Sequence, residues 1–322
     1  MNKKKILISI IGPTGIGKTK LSIYLAKKFN TEIISCDSRQ FYKDLKIGTS
    51  QPTIKQLKII KHHFIGHLNL KDNYNIFLFE KDVNNLLKIL YKKYNIIIMV
   101  GGSGLYEKTI IEGINYIPNI KKKKLFKIRK ILYSKNINYL LKKLKNYDIN
   151  YYNNLNNKKD KRKIIRALEI KYCINKKLSS LFLKKKKKRQ FDKYIRIGLI
   201  LNKKKILNII KKKLQLMIKN GLFNEAKKIY NKYKNKNFNS LNTIGYKEIF
   251  NYLNNKNNKN NKNNKNNKNN KNNCINNILY NTKKLVKKQI TWFKKYNNIK
   301  WFNPKNKKKI LKYLKKKIIN IN

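Results

Sequence analysis

The stretch "IIGPTGIGKTKLS", residues 10–22, decides the fold, because Gly12 to Thr19 match the phosphate-loop pattern GxxxxGK[ST]. Gly12, Gly15 and Gly17, spaced by Pro13, Thr14 and Ile16, let backbone N–H groups turn toward a phosphate. The helix that follows adds the positive end of its dipole. Lys18 supplies a cation, and the Thr19 hydroxyl is placed to ligate Mg²⁺. The pattern has meaning only between a strand and a helix, and both are present. "KILISII" (5–11) reads as a buried strand, and "KTKLSIYLAKKF" (18–29) repeats Leu21, Leu25 and Phe29 at helical spacing. Loops of this kind commonly hold ATP, and the loop alone leaves ATP or another diphosphate open.

Two further apolar runs extend the pattern. "TEIISCD" ends at Asp37, and "NIIIMVGGSG" ends in a turn at Gly101, Gly102 and Gly104. A plausible helix, "IFLFEKDVNNLLKILYKKY", lies between them. Strands alternating with helices predict an open α/β sheet, with ligands bound beyond the C-terminal ends of the strands. From about residue 119 to 191 the pattern becomes helical, which predicts an insertion. It ends in a lysine run before the strand-like "YIRIGLIL". Residues 1–118 and 192–322 then form the core, with further helices in its second part. The tract of "NNK" triplets at 254–273 has no apolar residue and is expected to be a disordered surface loop.

Hydrophobic residues make up 41% of the 322, enough to bury a core, yet 81 Lys and Arg stand against 14 Asp and Glu, a net charge of +67. Such an excess suits a polyanion, nucleic acid first. It is also what A/T-rich codons produce, since Asn, Ile and Tyr are abundant as well. The charge is therefore compatible with a tRNA-sized ligand without identifying one. Cys36, Cys173 and Cys274 lie far apart with no CxxC pair, against a zinc ribbon or a disulfide framework. No run reaches the roughly 18 apolar residues of a spanning helix. The apolar start flows into the phosphate loop without a cleavage site. A cytoplasmic protein with no membrane association is expected.

Asp37, at a strand end beside the phosphate loop, sits where a general base or metal ligand is useful; a turn cap is the other reading. The third run, "NIIIMV", reaches Gly101 without the acid that holds Mg²⁺ in many phosphate-loop NTPases, which weighs against a kinase or ATPase. His62, His63 and His67 are close in sequence but lack supporting ligands at metal spacing, which favours a structural or substrate-adjacent role over a metal site. "KKLVKKQITWFKKYNNIKWF" interleaves lysines with Trp292, Phe293 and Trp301. That pattern suits base stacking or an amphipathic helix, and the two are compatible.

Together, "GPTGIGKTKLS", "IISCDSRQFYKDLKIGTSQPT", "HHFIGHL", "VGGSGLYEKTIIEG", "DKRKIIRALEI", "NGLFNEAKKIY", "IGYKEIFNYL" and "KKQITWFK" resemble, in order, the bacterial tRNA dimethylallyltransferases, also called tRNA isopentenyltransferases. The resemblance spans most of the chain but not the NNK tract. It implies a P-loop-kinase-like parallel sheet flanked by helices, with a helical insertion domain. It also implies transfer of a dimethylallyl group from dimethylallyl diphosphate to N6 of the adenosine 3′ of a tRNA anticodon, that base being flipped into a channel. The expected partners are tRNA and dimethylallyl diphosphate, the cofactor Mg²⁺, and the state a monomer.

Carried over by position, Gly12 to Thr19 would hold the diphosphate, with Mg²⁺ near Thr19. Asp37 would take the N6 proton, and Ser38, Arg39 and Gln40 would face the adenosine. Ser103 stands where the family usually has Thr; its hydroxyl keeps the donor, so it is expected to act with Asp37 at the catalytic site and to meet the tRNA. Lys163 and Arg166, Tyr246 and Lys247, and Lys287, Lys288, Gln289, Thr291, Trp292 and Lys294 would meet the tRNA. Lys163 and Lys213 replace arginines of the family, which keeps charge but loses the bidentate fork. The family's acid after Pro118 is absent. A nucleotide or small-molecule kinase and a non-catalytic basic RNA-binding protein are the competing readings.

Overall fold

The computed structural model describes residues 4–114, 120, 122–182, 189–233, 238–257 and 267–320. Pro118 and the lysine run at 184–188 lie outside them. By internal contacts the chain separates into two compact units, Met1–Ile111 with Arg189–Asn322, and Glu112–Lys188.

In the first unit, β1 (Ile6–Ile11) leads through the glycine loop into α1 (Lys18–Phe29), and β2 (Ile33–Ser35) follows. Next come α2 (Ile54–Ile59), β3 (His62–His63), α3 (Ile76–Leu90), β4 (Ile96–Gly101) and α4 (Gly104–Glu112). The second unit holds α5 (Lys122–Ser134), α6 (Ile137–Tyr147), α7 (Ile149–Asn153), α8 (Lys161–Ile174) and α9 (Leu178–Phe182). Its core gathers Leu132, Leu140, Leu144, Ile164, Ile165 and Leu168. The first unit resumes with β5 (Lys193–Leu199), α10 (Lys203–Lys219), α11 (Leu222–Lys232) and α12 (Tyr246–Asn257). It closes with α13 (Asn267–Phe293), β6 (Ile299–Phe302) and α14 (Lys307–Ile319).

The six strands form one parallel sheet in the order β3-β2-β4-β1-β5-β6, the α/β arrangement expected. β1 is central and buried along its whole length, which explains its unbroken apolar run. Core residues cover both faces of the sheet. Leu7, Ile34, Phe79, Ile97 and Met99 belong to one cluster, and Ile8, Ile10, Leu21, Leu25 and Ile98 to the other. Register sets the functional edge, since Ile11 pairs with Gly101 and Ser35 with Val100. Gly12, Gly102 and Asp37 therefore leave the sheet at one end, where β1 has its neighbours on both sides.

Sequence reasoning missed two strands, β3 and β6. The NNK tract also needs correcting where it is described, because α12 runs to Asn257 and α13 begins at Asn267. Residues 258–266 of the tract lie outside the described residues. Cys274, Ile278, Val286 and Phe293 bury one side of α13. A helix nucleated by that packing can extend into poor helix formers at small cost per residue.

Candidate active site

The phosphate loop is the link between β1 and α1. Gly17 caps α1 with φ +101°, a left-handed conformation that favours glycine, and its carbonyl accepts the first helical bond from Leu21. The Lys18 ammonium folds back to donate to the carbonyls of Gly12 and Pro13, at 2.9 and 2.8 Å. Thr19 follows in the first turn of α1, half-buried. Gln289 of α13 reaches in from 275 residues away, its Oε1 accepting from the Thr14 N–H at 2.9 Å. The same side chain donates Nε2–H to the Gly102 carbonyl at 2.9 Å, so one amide ties the phosphate loop to the turn after β4.

A cavity of about 570 Å³ opens at this edge of the sheet. Thr14, Asp37, Ser38, Arg39 and Ser103 line it, with Lys213 of α10 and Lys288 of α13. Much of its wall is apolar, with Leu105, Ile210, Leu214, Met217, Ile278 and Leu285. The Ser103 hydroxyl accepts from the Ser38 N–H at 3.2 Å and shares a 3.2 Å contact with the Ser38 hydroxyl. An Asp37 carboxylate oxygen accepts from the Arg39 N–H at 3.2 Å, a turn contact that leaves the other oxygen available. Burial lowers the Lys18 pKa to about 8, against the attraction of Asp37 and aided by repulsion from Lys213. Burial lowers that of Lys213 as well, again opposed by Asp37. Two desolvated ammonium groups beside one carboxylate make an anion site with a proton acceptor at its margin.

The end of β4 cannot carry an acid, since a Cβ on Gly101 would lie 2.5 Å from the Cys36 sulfur. The Mg²⁺-holding carboxylate of a phosphate-loop kinase thus has no room there. Beneath the site, the fully buried Glu107 of α4 accepts from the Ser9 hydroxyl at 3.1 Å and pairs with Arg196 of β5 at 2.8 Å. Arg196 also donates to Asn298 and lies 4.0 Å from the Tyr296 ring centroid.

The remaining sequence-predicted residues separate into groups. Trp292 and Gln289 belong to the cavity wall with Lys288, while Lys287 and Thr291 are exposed on α13, Lys294 just past its end, and Lys247 on α12. Gln40 does not line the cavity; its amide donates to the carbonyls of Thr49 and Ser50. Tyr246, expected at a tRNA surface, is fully buried, and its hydroxyl is bonded to Gly48 and Glu225. Its ring fills the core beneath the loop at 46–50, so its side chain meets the protein and not the surface. Lys163 and Arg166 lie on α8 in the second unit, Lys163 exposed and Arg166 paired with Glu169 at 3.0 Å. The three histidines each contact the protein itself. His63 pairs with Glu32 at 2.5 Å, His62 bonds the Ile60 carbonyl, and His67 packs edge-on to Phe41.

Sequence reasoning missed Glu225 and Glu107, whose partners are distant in the chain. It also missed the apolar wall of α10, although Ile206, Ile210 and Leu214 recur there at four-residue spacing.

Residues 40–296 match the protein family described as IPP transferase. A tRNA dimethylallyltransferase of Christiangramia forsetii is 42% identical over 313 residues, covering 97% of this chain and 98% of the relative. The tRNA dimethylallyltransferase 1 of Bacteroides fragilis is 38% identical, covering 98% and 99% of the two chains. Among solved structures, the full-length tRNA isopentenylpyrophosphate transferase of Bacillus halodurans superposes with a TM-score of 0.69 at 26% identity, over 99% of this chain and 98% of that one. A eukaryotic dimethylallyltransferase acting on tRNA gives 0.75 at 26% identity, over 93% of this chain and 74% of that one. With its parallel sheet, its phosphate loop and these relatives matched nearly end to end, the chain belongs to the IPP transferase family, the family of the tRNA dimethylallyltransferases.

Proposed function

We propose that the cavity transfers the dimethylallyl group of dimethylallyl diphosphate to the exocyclic N6 of the adenosine 3′ of the anticodon in tRNA. The observation that carries this reading is the shared cavity. Asp37, Ser38 and Ser103 line the same space as Thr14 of the phosphate loop and Lys213. The diphosphate binds at the loop between Lys18 and Lys213, and the five-carbon tail lies along Ile210, Leu214 and Met217. The C1–O bond breaks and N6–C1 forms. The diphosphate leaves into the cationic loop, and the N6 proton passes to the Asp37 carboxylate. Fixed positive charge aimed at the departing oxygens favours the transition state more than the ground state. Asp37 removes the proton that would otherwise leave N6 cationic. Ser38 and Ser103, bonded to each other, orient the adenine edge.

Among the described residues no three His, Cys, Asp or Glu are grouped to hold a metal ion. A magnesium ion in such a loop takes its oxygens mainly from substrate phosphates and water, and the Thr19 hydroxyl is a donor of the right kind. When bound, the ion adds positive charge at the leaving diphosphate. The exposed lysines of α13 and α8 serve the tRNA backbone in this reading, and the protein works as a cytoplasmic monomer. No helix among the described residues is long and apolar enough to cross a membrane.

The test incubates purified protein with tRNA, Mg²⁺ and labelled dimethylallyl diphosphate, with ATP in a parallel reaction. Label entering tRNA is expected; ATP hydrolysis without transfer would replace this reading with a kinase. Asp37→Asn should retain tRNA binding and lose about 10²- to 10⁴-fold in turnover. Near-normal turnover in that variant would remove Asp37 as the base.

A further inference from the structure

One wall of the cavity is the loop at residues 46–50, which contributes Gly48, Thr49 and Ser50. One carboxylate gathers three of its backbone N–H groups. Glu225, in the first turn of α11, accepts from the N–H of Ile47 at 3.0 Å, and from Lys46 and Gly48 at 3.3 and 3.4 Å. Tyr246 completes the clamp, donating its hydroxyl to Glu225 at 2.5 Å while accepting from the Gly48 N–H at 3.0 Å. A Cβ at Gly48 would lie 2.4 Å from the Tyr246 ring, so the loop is seated flat on it.

The other side of the loop leads to the base. Gln40 Nε2 donates to the Thr49 and Ser50 carbonyls at 3.2 and 3.0 Å, and the Gln40 N–H donates to the Asp37 carbonyl at 2.9 Å. Glu225 thus reaches the turn that carries Asp37 through loop backbone and Gln40. The diphosphate side is braced separately, by Gln289 on the phosphate loop. A carboxylate kept only to cap its own helix would bond the N–H groups of α11, whereas Glu225 is turned onto a loop 177–179 residues earlier.

We propose that Glu225 and Tyr246 are positioning residues for the transfer step. They fix the acceptor side of the cavity and, through Gln40, the orientation of Asp37, while leaving the hold on diphosphate unchanged. The proposal rests on the reading of the cavity given above.

The test compares wild type, Glu225→Gln and Tyr246→Phe, with each substrate varied in turn and thermal melting recorded for every protein. Glu225→Gln keeps one acceptor oxygen and replaces the other with a donor, and Tyr246→Phe keeps the ring. Losing one or two of these bonds should lower kcat by about tenfold, with the KM for dimethylallyl diphosphate within about twofold of wild type. Amides of Ile47 and Gly48 should exchange faster with deuterium in both variants. Tyr230→Phe removes another half-hidden hydroxyl, bonded to Asn254, and should leave kcat unchanged. Unchanged kcat in both clamp variants, or a diphosphate KM that rises as far as kcat falls, overturns the proposal. A wild type that transfers nothing overturns the cavity reading instead, and the catalytic role of the clamp with it.

Discussion

On the proposed reading, Lys18 makes the grip on diphosphate sensitive to pH in a calculable way. Burial brings its pKa down from 10.5 to about 8 in the unliganded protein. With that value, about nine-tenths of the molecules carry a charged Lys18 at pH 7, half at pH 8 and about one-tenth at pH 9. The last phosphate proton is lost near pH 6, so the ligand's charge is nearly constant over this range. If only the charged form binds, the KM for dimethylallyl diphosphate should rise about tenfold from pH 7 to pH 9. Lys213, also lowered, acts in the same direction. Stability moves oppositely. Between pH 8 and 10.5 the unfolded chain retains a proton that the folded chain has released, so Lys18 makes the empty protein more stable as pH rises through that window. Initial rates at saturating tRNA and constant ionic strength, from pH 6.5 to 9.5, read the first trend, and denaturant titration reads the second. Lys18→Arg, charged throughout, should flatten the KM profile. A wild-type KM that stays level to pH 9.5, or falls, would refute the assignment of Lys18 as the titrating anion ligand.

Two further changes probe the supports. Gln289→Leu leaves the buried Gly102 carbonyl without its donor and should cost about 1–3 kcal/mol, seen as a lower denaturant midpoint together with a raised KM for the diphosphate. Arg196→Met strips Glu107 of its bidentate partner and should destabilise by about 3–5 kcal/mol, again read by denaturant titration; a loss below about 1 kcal/mol would show that the contacts left to Glu107 satisfy the carboxylate.

What was legible in the sequence is what depends on near neighbours. The run from Lys5 to Phe29 carries strand, loop and helix in its own pattern, and Asp37 and Ser103 follow apolar strands whose ends had to share an edge. The two histidines of β3 are too few to show an alternation, and β6 is hidden among lysines. Both strands exist because the sheet offers them a partner. Tyr246 lies in a segment that looks like a ligand-facing motif, yet only its packing under Gly48 shows that it faces the core. Gln289 stands out in the sequence as an expected tRNA contact, but its partners, Thr14 and Gly102, were not legible, since nothing local links α13 to the phosphate loop. The helical ends of the Asn/Lys tract escaped for a related reason: their support is the burial of Cys274 and Ile278 beyond it.

The bond from Gln289 to Thr14 also bears on the order in which the protein is made. The glycine loop is synthesised well before its brace, which comes 275 residues later. Contacts of such sequence separation form late and slow folding. A nascent chain therefore holds every glycine of the phosphate loop long before it can hold the loop still. The diphosphate capture proposed above then becomes a property of the finished molecule, one that a fragment ending before α13 would lack.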